Sequence, residues 1–180
     1  MMDVIKTEIE GLLVIQPKVF GDDRGYFFES FSMKKFEEKV RKTVFVQDNE
    51  SKSRYGVLRG LHFQKPPFEQ AKLVRVVLGR VLDVAVDIRK NSPTFGQYVS
   101  MELSDENKKQ LFIPRGFAHG FAVLSDKAIF QYKCDNYYSP AHEGGILWND
   151  PRLHIDWLLP ENEIILSEKD KNNPPLCDTY

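Results

Sequence analysis

Chemistry is concentrated in Leu58-Arg59-Gly60-Leu61-His62-Phe63-Gln64, where an imidazole and a guanidinium interrupt an apolar, strand-like run. A histidine titrates near neutrality, at ~6.5 when unperturbed, so His62 can take up a proton and give it back without much help. A solitary histidine is as readily a core or surface group, so its company decides. Polar groups enter singly among apolar neighbours at three further places: Lys72 in residues 70–78, His119 in 117–124 and Tyr132 in 128–134.

The elements that hold these residues read as short strands. Side chains alternate across a strand, so each face can be read separately. In residues 81–89, Leu82, Val84, Val86 and Ile88 form an apolar face, while Asp83, Ala85, Asp87 and Arg89 form the other. Lys72 falls with Val74 and Val76; His119 falls with Phe117, Phe121 and Val123; Tyr132 falls with Phe130 and Cys134. Single polar groups on inward faces predict an all-β barrel or sandwich with a site inside one end. Upstream, Leu12 to Ile15 is a strand ended by Pro17, and Val19-Phe20 enters the turn Gly21-Asp22-Asp23-Arg24-Gly25. Ser32 caps a short helix through Val40, with Phe36 and Val40 one turn apart on one face.

Strict alternation places His62 with Gly60 and Gln64 and sends Arg59 to the opposite face. For both to meet one substrate, a bulge or strand end is required near Gly60.

The bounds agree with a small enzyme. At 180 residues, 42% hydrophobic and 28% charged, the chain can bury a sizeable core as one domain spanning 1–180. Twenty-five basic against 26 acidic residues leave a net charge of -1, which gives no field for nucleic acid or an anionic membrane. No run approaches the ~20 apolar residues of a membrane span, and a cytoplasmic location is expected. Cys134 and Cys177 have no paired spacing and are read as free thiols. His142 and His154 sit in turn-like sequence and receive no role.

Two motifs resemble the cupins: Leu58 to Gln64 in place of the His-x-His strand, and Pro114-Arg115-Gly116-Phe117-Ala118-His119. The first is degraded, with Gln64 where a second histidine would stand. A transition metal wants three or four protein ligands and only His62 and His119 are good candidates, so a metal-free site is expected.

Eight blocks in order then resemble one family. They are Phe20 to Glu29, Gln47 to Ser51, Gly56 to Gln64, Gln70-Ala71-Lys72, Ser92 to Gly96, Ile113 to Phe121, Gly145 to Pro151 and Leu166 to Asp170. Together they are similar to the dTDP-4-dehydrorhamnose 3,5-epimerase family. The resemblance implies a cupin-type jelly roll with a few short peripheral helices, and a homodimer that exchanges N-terminal strands. It also implies cofactor-independent epimerisation at C3 and C5 of dTDP-4-keto-6-deoxyglucose. Both carbons adjoin the C4 ketone, so the reaction needs a base, a cation near the carbonyl oxygen and an acid. His62, Lys72 and Tyr132 occupy the family positions for these roles.

The resemblance makes Asp170 the carboxylate that orients His62; its place three residues past Ser167 equally fits a helix cap. Arg59, Lys72, His119 and Lys169 match positions for the charged end of the substrate. Arg24, Glu29, Gln47, Asp48 and Asn49 match the nucleotide end, Arg24 and Glu29 reaching in from the neighbouring subunit. Tyr138 and Phe27 are candidates to stack on the base, and Glu143 matches a further binding position. Of Asp83 and Asp87, Asp83 is the expected neighbour of Lys72. The alternatives are an epimerase acting at C5 or C3 alone, a non-catalytic nucleotide-sugar-binding cupin, or, less favoured, a metal-dependent cupin oxygenase.

Overall fold

The structure, a computed structural model, describes residues 2–176, so Cys177 lies outside the described residues. Two antiparallel sheets face each other. One is six-stranded, in the order β1 (Met2–Lys6), β2 (Leu13–Pro17), β10 (Gln110–Ile113), β7 (Lys72–Leu78), β12 (Lys127–Cys134) and β5 (Gln47–Arg54). The other is five-stranded, in the order β13 (Glu143–Gly145), β6 (Leu58–Gln64), β11 (Phe117–Val123), β8 (Arg80–Asp87) and β9 (Tyr98–Ser104). A separate hairpin is formed by β3 (Val19–Asp22) and β4 (Gly25–Phe28).

Alternation along the strands builds three cores. Val74, Val76, Leu111 and Phe130 of the six-stranded sheet meet Val81, Ala85, Phe121 and Val123 of the five-stranded sheet in the space between. The opposite face of β8 carries Leu82, Val84 and Val86, which pack with Leu58, Leu61, Phe63, Trp157 and Leu176 under the C-terminal segment. Outside the six-stranded sheet, Ile15, Leu73 and Phe112 are covered by Phe36 of α1 (Met33–Lys39). Each large apolar side chain so buried contributes about 1.5–3 kcal/mol before entropy is counted. β8 is therefore apolar on its outward face, while on the inward one Asp83 and Asp87 alternate with Val81 and Ala85.

The expected helix is present. Ser32 is its N-cap, its hydroxyl accepting from the Lys35 N–H, and Val40 closes it. The second helix, α2 (Glu168–Lys171), is a single turn whose N-cap Ser167 accepts from the Asp170 N–H at 3.1 Å. One turn cannot hold itself in water; the strands around it must.

Candidate active site

The strand that carries the imidazole is irregular where the sequence required it. His62 lies opposite His119 on β11, but Arg59 lies opposite Phe121, so three steps on β6 span two on β11. The surplus residue turns Arg59 to the side that His62 occupies. Leu58, Leu61 and Phe63 enter the outer core, while Arg59 and His62 line one cavity of about 180 Å³ with Lys72, His119, Phe121, Phe130 and Tyr132. Gly60 sits at the crossing with φ +135°, and a Cβ there would stand 2.6 Å from the Cα of Gly120. Only glycine fits that backbone approach.

His62 points Nε2 at Oδ1 of Asp170, 2.5 Å away, with the imidazole 31% and the carboxylate 4% exposed. Asp170 thus has contacts of both kinds its sequence context suggested: its N–H donates to the Ser167 cap and its carboxylate lies at the imidazole. Burial pushes that carboxyl up, but bonding and charge from His62, with Ser167 and Lys169, hold it below its ordinary value. A second pair lies deeper, His119 Nε2 being 2.9 Å from Oδ2 of Asp83 with both side chains buried. Oδ1 of Asp83 is buried and has no hydrogen-bond partner.

The opposite wall belongs to the six-stranded sheet. Cys134 pairs in register with Lys72 and Gln47, and Tyr132 with Val74 and Asn49, so Lys72, Gln47, Tyr132 and Asn49 all project inward. The Lys72 ammonium lies over the Tyr132 ring at 5.8 Å from its centroid. Burial pulls Lys72 below its usual range, while Cys134, Asp83 and Glu143 pull the other way. Asp83 is the aspartate that acts on Lys72, as expected; Asp87 is taken up by Arg89, Ser92 and Thr94. Burial also raises the Tyr132 phenol, so it stays protonated at neutral pH, and raises the Cys134 thiol to about 11.

At the cavity rim Glu143 gathers three candidates. Lys169 forms an ion pair with it, and the Tyr138 hydroxyl donates to it at 3.0 Å. The Tyr138 N–H donates to Gln47 Oε1 at 3.3 Å, and Gln47 donates to Asn49 at 3.0 Å. The half-exposed Tyr138 is thereby held beside Gln47 at the edge of the inward row.

Four of the anticipated residues lie elsewhere. Asp48 projects from the outer face of β5, because it alternates with Gln47 and Asn49, and pairs with Lys133 at 2.9 Å. Arg24, in the β3–β4 turn, pairs with Asp22, and Glu29 pairs with Lys35 at 2.8 Å; neither lines the His62 cavity of its own chain. Phe27, on the same hairpin, is 71% exposed. His142 and His154 stand outside the cavity; the His142 ring meets Ser139 and Phe68.

An imidazole backed by a buried carboxylate, facing an ammonium and a phenol across the sandwich, is an arrangement that can move protons beside a carbonyl. Known proteins agree. The family described as dTDP-4-dehydrorhamnose 3,5-epimerase matches residues 6–178. The chain belongs to the dTDP-4-dehydrorhamnose 3,5-epimerase family. It is 60% identical over 178 residues to the Shigella flexneri enzyme of that name, covering 98% of this chain and 97% of that one. The crystal structure of the Elizabethkingia anophelis dTDP-4-dehydrorhamnose 3,5-epimerase superposes with a TM-score of 0.94 at 56% identity, covering 99% of each chain. A dTDP-6-deoxy-D-glucose-3,5-epimerase from Legionella pneumophila, in complex with dTDP-4-keto-L-rhamnose, gives 0.95 at 53% identity, covering 99% of this chain and 94% of that one.

In this epimerase family the fold is the cupin-like one that the motif resemblance implied. Among the described residues no helix is long and apolar enough to cross a membrane. Two contacts of the epimerase site went unread in the sequence. Ser53, buried on β5, accepts from Arg59 Nε at 3.1 Å, and Asp83 bonds His119 as well as acting on Lys72. Alternation along residues 47–53 puts Ser53 on the inward face, but a serine carries no distinguishing signal there.

Proposed function

We propose that this chain is a cytoplasmic, cofactor-independent 3,5-epimerase that converts dTDP-4-keto-6-deoxyglucose to dTDP-4-keto-L-rhamnose. The observation that carries the reading is the opposition of His62 on one sheet, backed by Asp170 of α2, to Lys72 and Tyr132 on the other.

A ketosugar placed between the walls presents C3 and C5, each next to the C4 carbonyl. His62 removes the proton from the carbon, the C–H electron pair forms the C=C bond and the carbonyl pair moves to oxygen. Lys72, with its ammonium in the cavity, stabilises that oxyanion; one such contact is worth about 3–4 kcal/mol. Tyr132 donates its proton to the other face of the carbon, the enolate collapses to the ketone and the centre is inverted. His62 then loses its proton to solvent and Tyr132 regains one. No atom ends with a changed oxidation state, so neither inversion needs a redox carrier.

The diphosphate is read as lying towards Arg59, His119 and Lys169, where guanidinium and ammonium groups can pair with phosphate oxygens. Tyr138, Gln47 and Asn49 are read as holding the nucleoside end. Arg24, Glu29 and Phe27 complete the site of a second subunit in a homodimer with exchanged arms. Support comes from the β3–β4 hairpin, which leaves Phe20, Tyr26 and Phe27 exposed on its own chain. Light scattering tests the dimer: a monomer in dilute solution would overturn it.

The test of the reaction is proton NMR of dTDP-4-keto-6-deoxyglucose with the protein in D2O. Deuterium is expected at C3 and C5, together with the L-rhamno ketosugar. Exchange at one carbon alone would replace this reading with a single epimerase, and binding without exchange would replace it with a binding protein.

A further inference from the structure

Asp170 reaches His62 from a single helical turn, and that turn is tied down beyond its own end. After α2 the chain runs beside β13, where the Leu147 N–H donates to the Pro174 carbonyl at 2.9 Å. Asn173 lies against Gly145, the register partner of His62; a Cβ on Gly145 would come within 2.6 Å of three atoms of the Asn173 amide. The final tie is a carboxylate. Asp150, 2% exposed, accepts from the Arg152 N–H through Oδ1 at 2.8 Å and from the Leu176 N–H through Oδ2 at 2.7 Å. One oxygen is fixed in its own turn and the other grips the chain six residues past Asp170. Leu176 is itself buried with Trp157 and Leu153.

We infer that Asp150 is a positioning residue for the Asp170–His62 pair, acting as the clasp that holds the C-terminal segment where Asp170 can reach the imidazole. This rests on the proton-transfer role proposed for His62. Both oxygens of Asp150 accept from backbone N–H groups, so the group must offer two acceptors. An asparagine offers one acceptor and turns a donor towards the other N–H. The released segment lets the Asp170 carboxylate drift, and a misplacement of order 1 Å costs about a hundredfold in rate.

The experiment compares Asp150→Asn, Asp170→Asn and the double variant with the wild type in the intact chain. In proton NMR the wild type is expected to show a downfield imidazole N–H held by Asp170, to be assigned to His62 by its loss in His62→Asn. It is expected to vanish or broaden in Asp150→Asn as it does in Asp170→Asn. In the D2O assay kcat is expected to fall about a hundredfold in Asp150→Asn with KM within threefold, and the double variant should be no slower than Asp170→Asn alone. A sharp, unshifted imidazole signal in a folded Asp150→Asn protein overturns the inference. Multiplying losses in the double variant overturn it as well, since they mean that Asp150 acts elsewhere. A wild type that exchanges no deuterium overturns the proposed reaction instead, and the imidazole signal still decides the clasp.

Discussion

His62 and His119 are register partners across β6 and β11, yet each ring gives its Nε2 to a different carboxylate, Asp170 for the first and Asp83 for the second. The two are not equivalent. The His62 ring is 31% exposed and lies where a substrate can reach it, whereas the His119 side chain is 8% exposed, bonded to a fully buried aspartate. This difference in reach favours His62 over His119 as the proposed base.

His62→Ala should abolish deuterium incorporation, a loss of about 10²–10⁴-fold or more for a positioned base. His119→Ala should weaken substrate binding and leave measurable exchange. Side-by-side D2O assays check this; equal loss of exchange in the two would assign abstraction to both rings.

Tyr132→Phe separates taking a proton from returning one. His62 can still remove the C–H proton and hand back a deuteron to the same face, so exchange continues with retention. Product with inverted centres should fall about 10²–10⁴-fold. NMR reads both quantities in one sample, and unimpaired inversion would show that water can serve as the acid.

Gly60→Ala puts a Cβ at φ +135° against the Gly120 backbone. Overpacking and left-handed strain together should cost about 2–4 kcal/mol of stability. Since the crossing sets Arg59 and His62 on one side, activity should fall further than at a glycine of equal burial away from β6. Urea unfolding with parallel kinetics checks both.

Asp87 predicts the acid behaviour of the fold. Burial pushes its carboxyl up, but Arg89, Ser92 and Thr94 hold it at about 2, against an ordinary 3.8. The depressed value stabilises the folded state fully above the unfolded value, by about 2 kcal/mol, and that contribution is lost as pH falls from 3.8 towards 2. Urea unfolding between pH 5 and about 2 should show the slope, and Asp87→Asn should flatten it.

Much of this was legible in the sequence because period-two alternation carries it. Lys72, Tyr132 and His119 each project inward as their apolar neighbours require, and the clash between Arg59 and His62 located the irregularity at Gly60 before any coordinates. Asp170 was legible only through resemblance, since no local pattern says that a carboxylate 108 positions after His62 will meet it. Asp48 shows where a motif is blunter than a strand. A motif spanning Gln47 to Asn49 treats three residues alike, whereas a strand sends the middle one to the opposite face. Asp150 gave no sign at all, because its partners are backbone N–H groups, which every sequence contains.

The division of the site between two sheets has a consequence for stereochemical fidelity. Base and acid are not joined by any short piece of chain, so the gap across which a carbon must be inverted is the thickness of the sandwich. That thickness is set by apolar contacts such as the stacked rings of Phe121 and Phe130, 4.2 Å apart. The separation of the proposed base and acid is thus fixed by hydrocarbon packing and not by the polar residues themselves.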